Sequence, residues 1–161
     1  MAHMHVQTER VIDASPDVVY SILADYRGAR QRILPPEHYL EYGVERGGAG
    51  AGTTFHYRLR AGGRERPYTM TSSEPAPGRV ITEQDSRSSL TTTWTLAPLG
   101  DGRRTRVQLM SEWEGGRGIG GFFERLFAPG GLRRIYTDML NRLDQQATQQ
   151  GRAPLTSGSV R

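Results

Sequence analysis

Between Leu40 and Trp113 the chain passes through six consecutive stretches in which apolar residues recur at every second position, each bounded by a turn signal. Leu40, Tyr42 and Val44 alternate with Glu41, Gly43 and Glu45, and Phe55, Tyr57 and Leu59 alternate with His56, Arg58 and Arg60. Tyr68 and Met70 continue the pattern, Arg79 to Asp85 forms a stretch whose inner face is ambiguous, and Leu90, Thr92, Trp94 and Leu96 form the next. Val107, Leu109, Ser111 and Trp113 complete it. The breaks fall at Gly47–Gly52, Gly62-Gly63, Pro75–Gly78 and Gly100-Asp101-Gly102, which are hairpin residues. A period of two puts one face of each strand in a core and the other in water, so the middle of the chain predicts an antiparallel sheet.

The flanks have a different period. Val6 to Ala14 reads as a further strand, after which Ser15-Pro16-Asp17 supplies an N-cap, a proline at the first helical position and an acid at the positive end of the helix dipole. Val18, Val19, Ile22, Leu23 and Tyr26 then make one apolar helical face, and a second short helical piece runs through Arg32 and stops before Pro35-Pro36. Near the other end, Leu132, Ile135, Tyr136, Met139, Leu140, Leu143 and Ala147 lie on one helical stripe, with Arg133, Arg134, Asp138, Arg142 and Gln145 opposite. Strand, two short helices, six strands and one long helix predict an α+β layout.

A chain of 161 residues provides one core. The apolar fraction of 35% and the 20 glycines together make about 47% of the chain, an ordinary globular composition. Met1 to Met4 reads as a vector-derived leader, residues 5–150 as the domain, and Gly151 to Arg161 as a flexible tail. No stretch is apolar enough to cross a bilayer and no signal region opens the chain, so the expected compartment is the cytoplasm, with no transmembrane segment. The absence of Cys excludes disulfides, Cys-based zinc sites and thiol nucleophiles. The net charge is +4 and all 21 cations are Arg, a pattern that codon bias explains. Acids are interspersed throughout, no basic stripe forms, and no nucleic-acid partner is expected.

The element order, with Val11-Ile-Asp-Ala-Ser-Pro-Asp-Val-Val-Tyr-Ser-Ile-Leu-Ala-Asp25-Tyr26 at its start, resembles the START-like, helix-grip (SRPBCC) superfamily, and within it the polyketide cyclase/dehydrase and lipid-transport family. Gly50-Ala-Gly-Thr53 ahead of a strand, Thr93-Trp94-Thr-Leu96 and the closing helix from Leu132-Arg-Arg-Ile-Tyr136 are similar features. The resemblance spans about Val6 to Thr148. It implies a curved seven-stranded antiparallel sheet wrapped around the long C-terminal helix, with two short helices after the first strand and a cavity between sheet and helix. Relatives use that cavity for lipids, quinones, sterols, hormones or polyketide chains. Independently, one helix cannot fill a saddle of this size, so large side chains or a ligand must occupy it.

On this reading the cavity wall comprises Tyr42, Phe55, Tyr57, Met70, Trp94, Leu109, Trp113, Tyr136 and Met139, with Tyr68 beside them. The same residues would serve a dry core equally well. Ile119, Phe122, Phe123 and Phe127, next to a Gly-rich approach, suggest a portal or, in a competing reading, a partner- or membrane-docking surface. For cofactor-free cyclase or dehydratase action, which the resemblance implies as the enzymatic route, the candidates by position are Arg66 and Tyr68 on one inner strand face, Tyr57 opposite, and His38 or Arg32 near the short helices. The family's Arg-and-aromatic pocket motif does not align with this sequence, so enzyme and noncatalytic carrier both stay open.

Other chemistries lack their parts. Gly116-Arg-Gly118-Ile-Gly-Gly121 has the letters of a dinucleotide loop, but neither the following parallel strand nor its terminal acid is present. His5, His38 and His56 are widely spaced without an acidic cluster, so no metal is expected. No G-x-S-x-G marks a hydrolase nucleophile. The expected partner is a hydrophobic small molecule, bound without a cofactor by a monomer or homodimer.

Overall fold

The computed structural model describes residues 3–61, 63–114 and 131–159, with side chains through residue 150. The described elements are β1 (His3–Ile12), α1 (Pro16–Leu23), α2 (Ala29–Arg32), β2 (Tyr39–Arg46), β3 (Thr54–Ala61), β4 (Arg64–Ala76), β5 (Val80–Asp85), β6 (Thr91–Leu99), β7 (Arg104–Glu114) and α3 (Gly131–Ser159). Strands β2 to β7 pair as successive hairpins, while β1 crosses over to pair with β7, giving the order β1-β7-β6-β5-β4-β3-β2 with every pair antiparallel. The first strand thus forms one edge of the sheet and β2 the other. Pro75 falls where the β4–β5 register shifts, a place where a strand tolerates a residue without an N–H.

Helix α1 begins as its sequence dictates: the Ser15 side chain accepts from the Val18 N–H and Pro16 opens the first turn. It ends at Leu23, short of the expected Tyr26. The Ala24 N–H bonds back to Tyr20, Asp25 bridges to Ala49, and the Tyr26 N–H donates to Gly48 O at 3.0 Å, so the loop before β3 captures the chain and stops the helix. Tyr26 is nevertheless fully buried. The helical backbone of α3 runs through Ser159, past Gly151 where the composition suggests a tail.

Phe55, Leu59, Met70, Ile81, Trp94, Leu96, Val107 and Leu109 cover the inner face of the sheet, and Ile135, Tyr136, Met139, Leu140 and Leu143 of α3 lie in the same core. Each large aliphatic side chain removed from water contributes about 1.5–3 kcal/mol. The ambiguity of β5 has a physical source. Its buried face is Ile81, Glu83 and Asp85, so two carboxylates occupy positions where the pattern elsewhere puts apolar groups. Asp85 is satisfied locally by the Thr69 N–H and the Ser88 hydroxyl, and Glu83 by groups from distant elements.

Candidate functional site

A cavity opens between the inner face of the sheet, α2 and α3, lined by Arg30, Leu34, Tyr39, Tyr42, Phe55, Tyr57, Met70, Glu83, Thr92, Trp94, Leu109, Tyr136 and Met139. Its atom-free space is about 390 Å3 including the open mouth, and the part into which the centre of a water molecule fits is about 30 Å3. In this conformation it has room for a few waters. A ring-sized ligand is larger than that space and requires the wall to move.

On one wall a guanidinium and a carboxylate meet in the interior. Arg30 Nη2 donates to both oxygens of Glu83, at 2.8 and 2.6 Å, and Arg30 Nη1 donates to Leu23 O at 2.8 Å. The Tyr26 hydroxyl donates to Glu83 Oε2 at 2.6 Å and the Trp94 indole N–H to Oε1 at 3.4 Å. Both charged side chains are only 4% exposed. The guanidinium also sits against the Tyr26, Trp94 and Phe55 rings, with centroids at 4.8, 5.0 and 5.9 Å. Burial opposes the Arg30 charge, but Glu83 outweighs it and holds the proton more tightly than in water.

Tyrosines dominate the rest of the wall. Tyr39 and Tyr57 pack at 5.0 Å between ring centroids, and no described residue forms a hydrogen bond to either hydroxyl. Tyr42 donates to Tyr26 O at 2.7 Å. The Tyr136 hydroxyl pairs with Ser111 Oγ at 2.5 Å, and Ser111 in turn with Thr92 Oγ1 at 2.6 Å, a chain of three hydroxyls joining α3 to the sheet. Burial raises the pKa of Tyr39, Tyr57 and Tyr136 and pushes Tyr42 up to about 12. These phenols therefore remain neutral donors at physiological pH.

The expected wall residues Tyr42, Phe55, Tyr57, Met70, Trp94, Leu109, Tyr136 and Met139 all come to this cavity, while Trp113 is buried outside its lining. Tyr68 is buried behind Tyr57, with ring centroids 5.6 Å apart, and its hydroxyl interacts with the half-buried Arg66. Arg66 and Tyr68 thus stand together beside the wall. His38 is elsewhere, at the start of β2 with Nδ1 against Arg60 O at 2.9 Å, and Arg32 is exposed. His56 points outward to Glu45 at 3.0 Å. Ile119, Phe122, Phe123, Phe127 and the Gly116–Gly121 loop lie outside the described residues.

Sequence reading missed Arg30, Glu83 and Tyr39. A faint signal existed for two of them: Ile81 inward makes Glu83 inward by period two, and Arg30 shares a helical face with Tyr26 and Ile33. Among the described residues no cluster of His, Cys, Asp or Glu could hold a metal ion, and no helix is long and apolar enough to cross a membrane.

A curved antiparallel sheet that wraps a long C-terminal helix, with two short helices after the first strand and a cavity between, is the helix-grip fold. The model of the polyketide cyclase/dehydrase and lipid transport family matches residues 3–148, and the chain belongs to that family. The solution structure of the KanY protein is 37% identical, with a TM-score of 0.78, over 92% of this chain and 99% of that one. The Zhui aromatase/cyclase from Streptomyces sp. R1128 shares the fold at 20% identity and a TM-score of 0.73, over 95% and 98% of the two chains. A START superfamily protein from Mycobacterium smegmatis does so at 14% identity and 0.68, over 92% and 99%. No match is found among curated proteins.

Proposed function

We propose that this protein binds a hydrophobic small molecule, a lipid, polyketide or related aromatic metabolite, in the cavity between the sheet and α3. The observation that carries this reading is the pair of cavity tyrosines, Tyr39 and Tyr57, whose rings pack together and whose hydroxyls form no hydrogen bond with any described residue. Both tyrosines are only partly buried, so their hydroxyls are open to a partner from the cavity, and a ligand oxygen would provide one. Membership of a family that includes cyclases and lipid carriers supports the same reading.

Two uses of such a site differ in what the wall must offer. Cofactor-free cyclisation or dehydration needs a donor to polarise a carbonyl and a base to take a proton. The phenols serve as donors, and Arg66 with Tyr68 is the adjoining candidate pair. The one carboxylate on the described wall, Glu83, already accepts four hydrogen bonds, from Arg30 twice, Tyr26 and Trp94, which leaves no free lone pair for base work. That saturation favours a carrier, the second reading, over an enzyme that uses Glu83 as its base.

Native mass spectrometry of the purified protein, followed by identification of any released small molecule, tests the proposal together with calorimetric titration of aromatic ketones. A stoichiometric apolar ligand, or ketone binding lost in Trp94→Ala, supports it. An apo mass with no ketone binding, or binding indifferent to Trp94→Ala and Tyr57→Ala, overturns it. Turnover of a bound polyketone that falls in Arg66→Ala and Tyr68→Phe more than affinity does would decide for the enzyme.

A further inference from the structure

The cavity wall carries two formal charges, Arg30 and Glu83, and they cancel each other in place. Every other lining residue among those described is aliphatic, aromatic, a hydroxyl or a thioether. The site is thus polar and internally charged yet electrically neutral toward whatever enters it.

A ligand carboxylate in this cavity would leave water without gaining a cation, because Glu83 already engages Arg30 through both oxygens. A ligand ammonium meets the converse difficulty. The wall rings of Phe55 and Trp94 already face the Arg30 guanidinium, and Glu83, the one carboxylate among the described lining residues, is spent on Arg30 and cannot balance a second cation. An uncharged carbonyl needs only a neutral donor, and Tyr39 and Tyr57 provide two.

We propose that Glu83 is the specificity-determining residue of the cavity: by neutralising Arg30 it restricts the site to uncharged, carbonyl-bearing ring molecules and excludes fatty acids, other anionic lipids and amines. This rests on the reading of the cavity as a ligand site. Without Glu83 the same wall would present a buried, aromatic-flanked guanidinium, which is an anion site.

Three probes of nearly one shape make the test: methyl naphthyl ketone, naphthoate and naphthylmethylammonium, titrated by calorimetry into the full chain at neutral pH. The ketone should bind at least about tenfold more tightly than either ion, since each ion gives up its hydration without a charge partner. In Glu83→Gln, which keeps shape and one acceptor, naphthoate should gain about tenfold or more and overtake the ketone. The double variant Arg30→Gln/Glu83→Gln should return to preferring the ketone. Naphthoate or the ammonium binding wild type within about threefold of the ketone overturns the inference, as does an unchanged order in a folded Glu83→Gln protein. If Glu83→Gln fails to fold, the wild-type comparison decides alone. Failure of all three probes to bind wild type counts against the ligand cavity itself and takes the inference with it.

Discussion

Arg30 Nη2 and Glu83 Oε2 lie 2.6 Å apart in the interior, although 53 residues separate them along the chain. Neither can be buried alone. Desolvating either charge without the other is costly by several kcal/mol, so α2 and β5 are obliged to meet, and Tyr26, Leu23 O and Trp94 complete the hydrogen bonding.

Glu83→Ala leaves the Arg30 guanidinium buried without its partner, and urea denaturation should show a loss of about 3–5 kcal/mol. Replacing both, Arg30→Met with Glu83→Leu, removes the unpaired charge and should lose less than Glu83→Ala, the remaining loss coming from the orphaned Tyr26 hydroxyl, Leu23 O and Trp94 N–H. A double variant as unstable as the single one would show that the pair contributes more than mutual compensation.

The Tyr136–Ser111–Thr92 hydroxyl chain ties α3 to the sheet across the cavity. Ser111→Ala and Tyr136→Phe should each lower stability by about 1–2 kcal/mol. Because they remove one shared interaction, their double variant should fall short of the sum by about 1 kcal/mol, measured as a double-mutant cycle. Full additivity would mean that the hydroxyl pair couples nothing.

Tyr39→Phe and Tyr57→Phe remove hydroxyls that no described residue engages, so thermal unfolding should move by less than about 0.5 kcal/mol. Affinity for methyl naphthyl ketone should nevertheless fall about three- to tenfold, the worth of one neutral hydrogen bond. Stability loss with unchanged affinity would place these hydroxyls in the fold and remove them from recognition.

Alkaline pH should unfold the protein cooperatively. All seven tyrosines have raised pKa values, chiefly through burial, with Tyr20 and Tyr42 at about 12, whereas an unfolded tyrosine titrates near 10. The unfolded chain therefore loses these protons first. The stabilisation linked to neutral phenols is fully present below about pH 10 and is lost as the pH rises toward 12. Tyrosinate absorbance should appear together with loss of secondary structure by circular dichroism. Gradual ionisation of several tyrosines near pH 10 in a folded protein would contradict their burial.

The sheet, its turns and both helical flanks were legible from local rules, because period two, period 3.6 and the Ser15-Pro16 start each depend on neighbours within a few residues. Legibility failed where a distant group set the outcome. Helix α1 stops at Leu23 because the loop around Gly48 takes the next backbone donors, a contact no propensity encodes. Trp113 follows the same alternation as Leu109 yet lies off the cavity, because alternation fixes the face of a strand and not which stretch of it borders the opening.

By itself, then, the sequence determined the class of fold and most of the aromatic wall, because alternation and helical spacing assign each side chain a face. Tertiary structure alone decided that Arg30 and Glu83 share one buried position and that the Tyr39 and Tyr57 rings pack together at the cavity. The physical reason is the range of the forces. Backbone periodicity acts over a few residues, whereas the charge balance of a desolvated cavity is fixed by groups that only folding brings together.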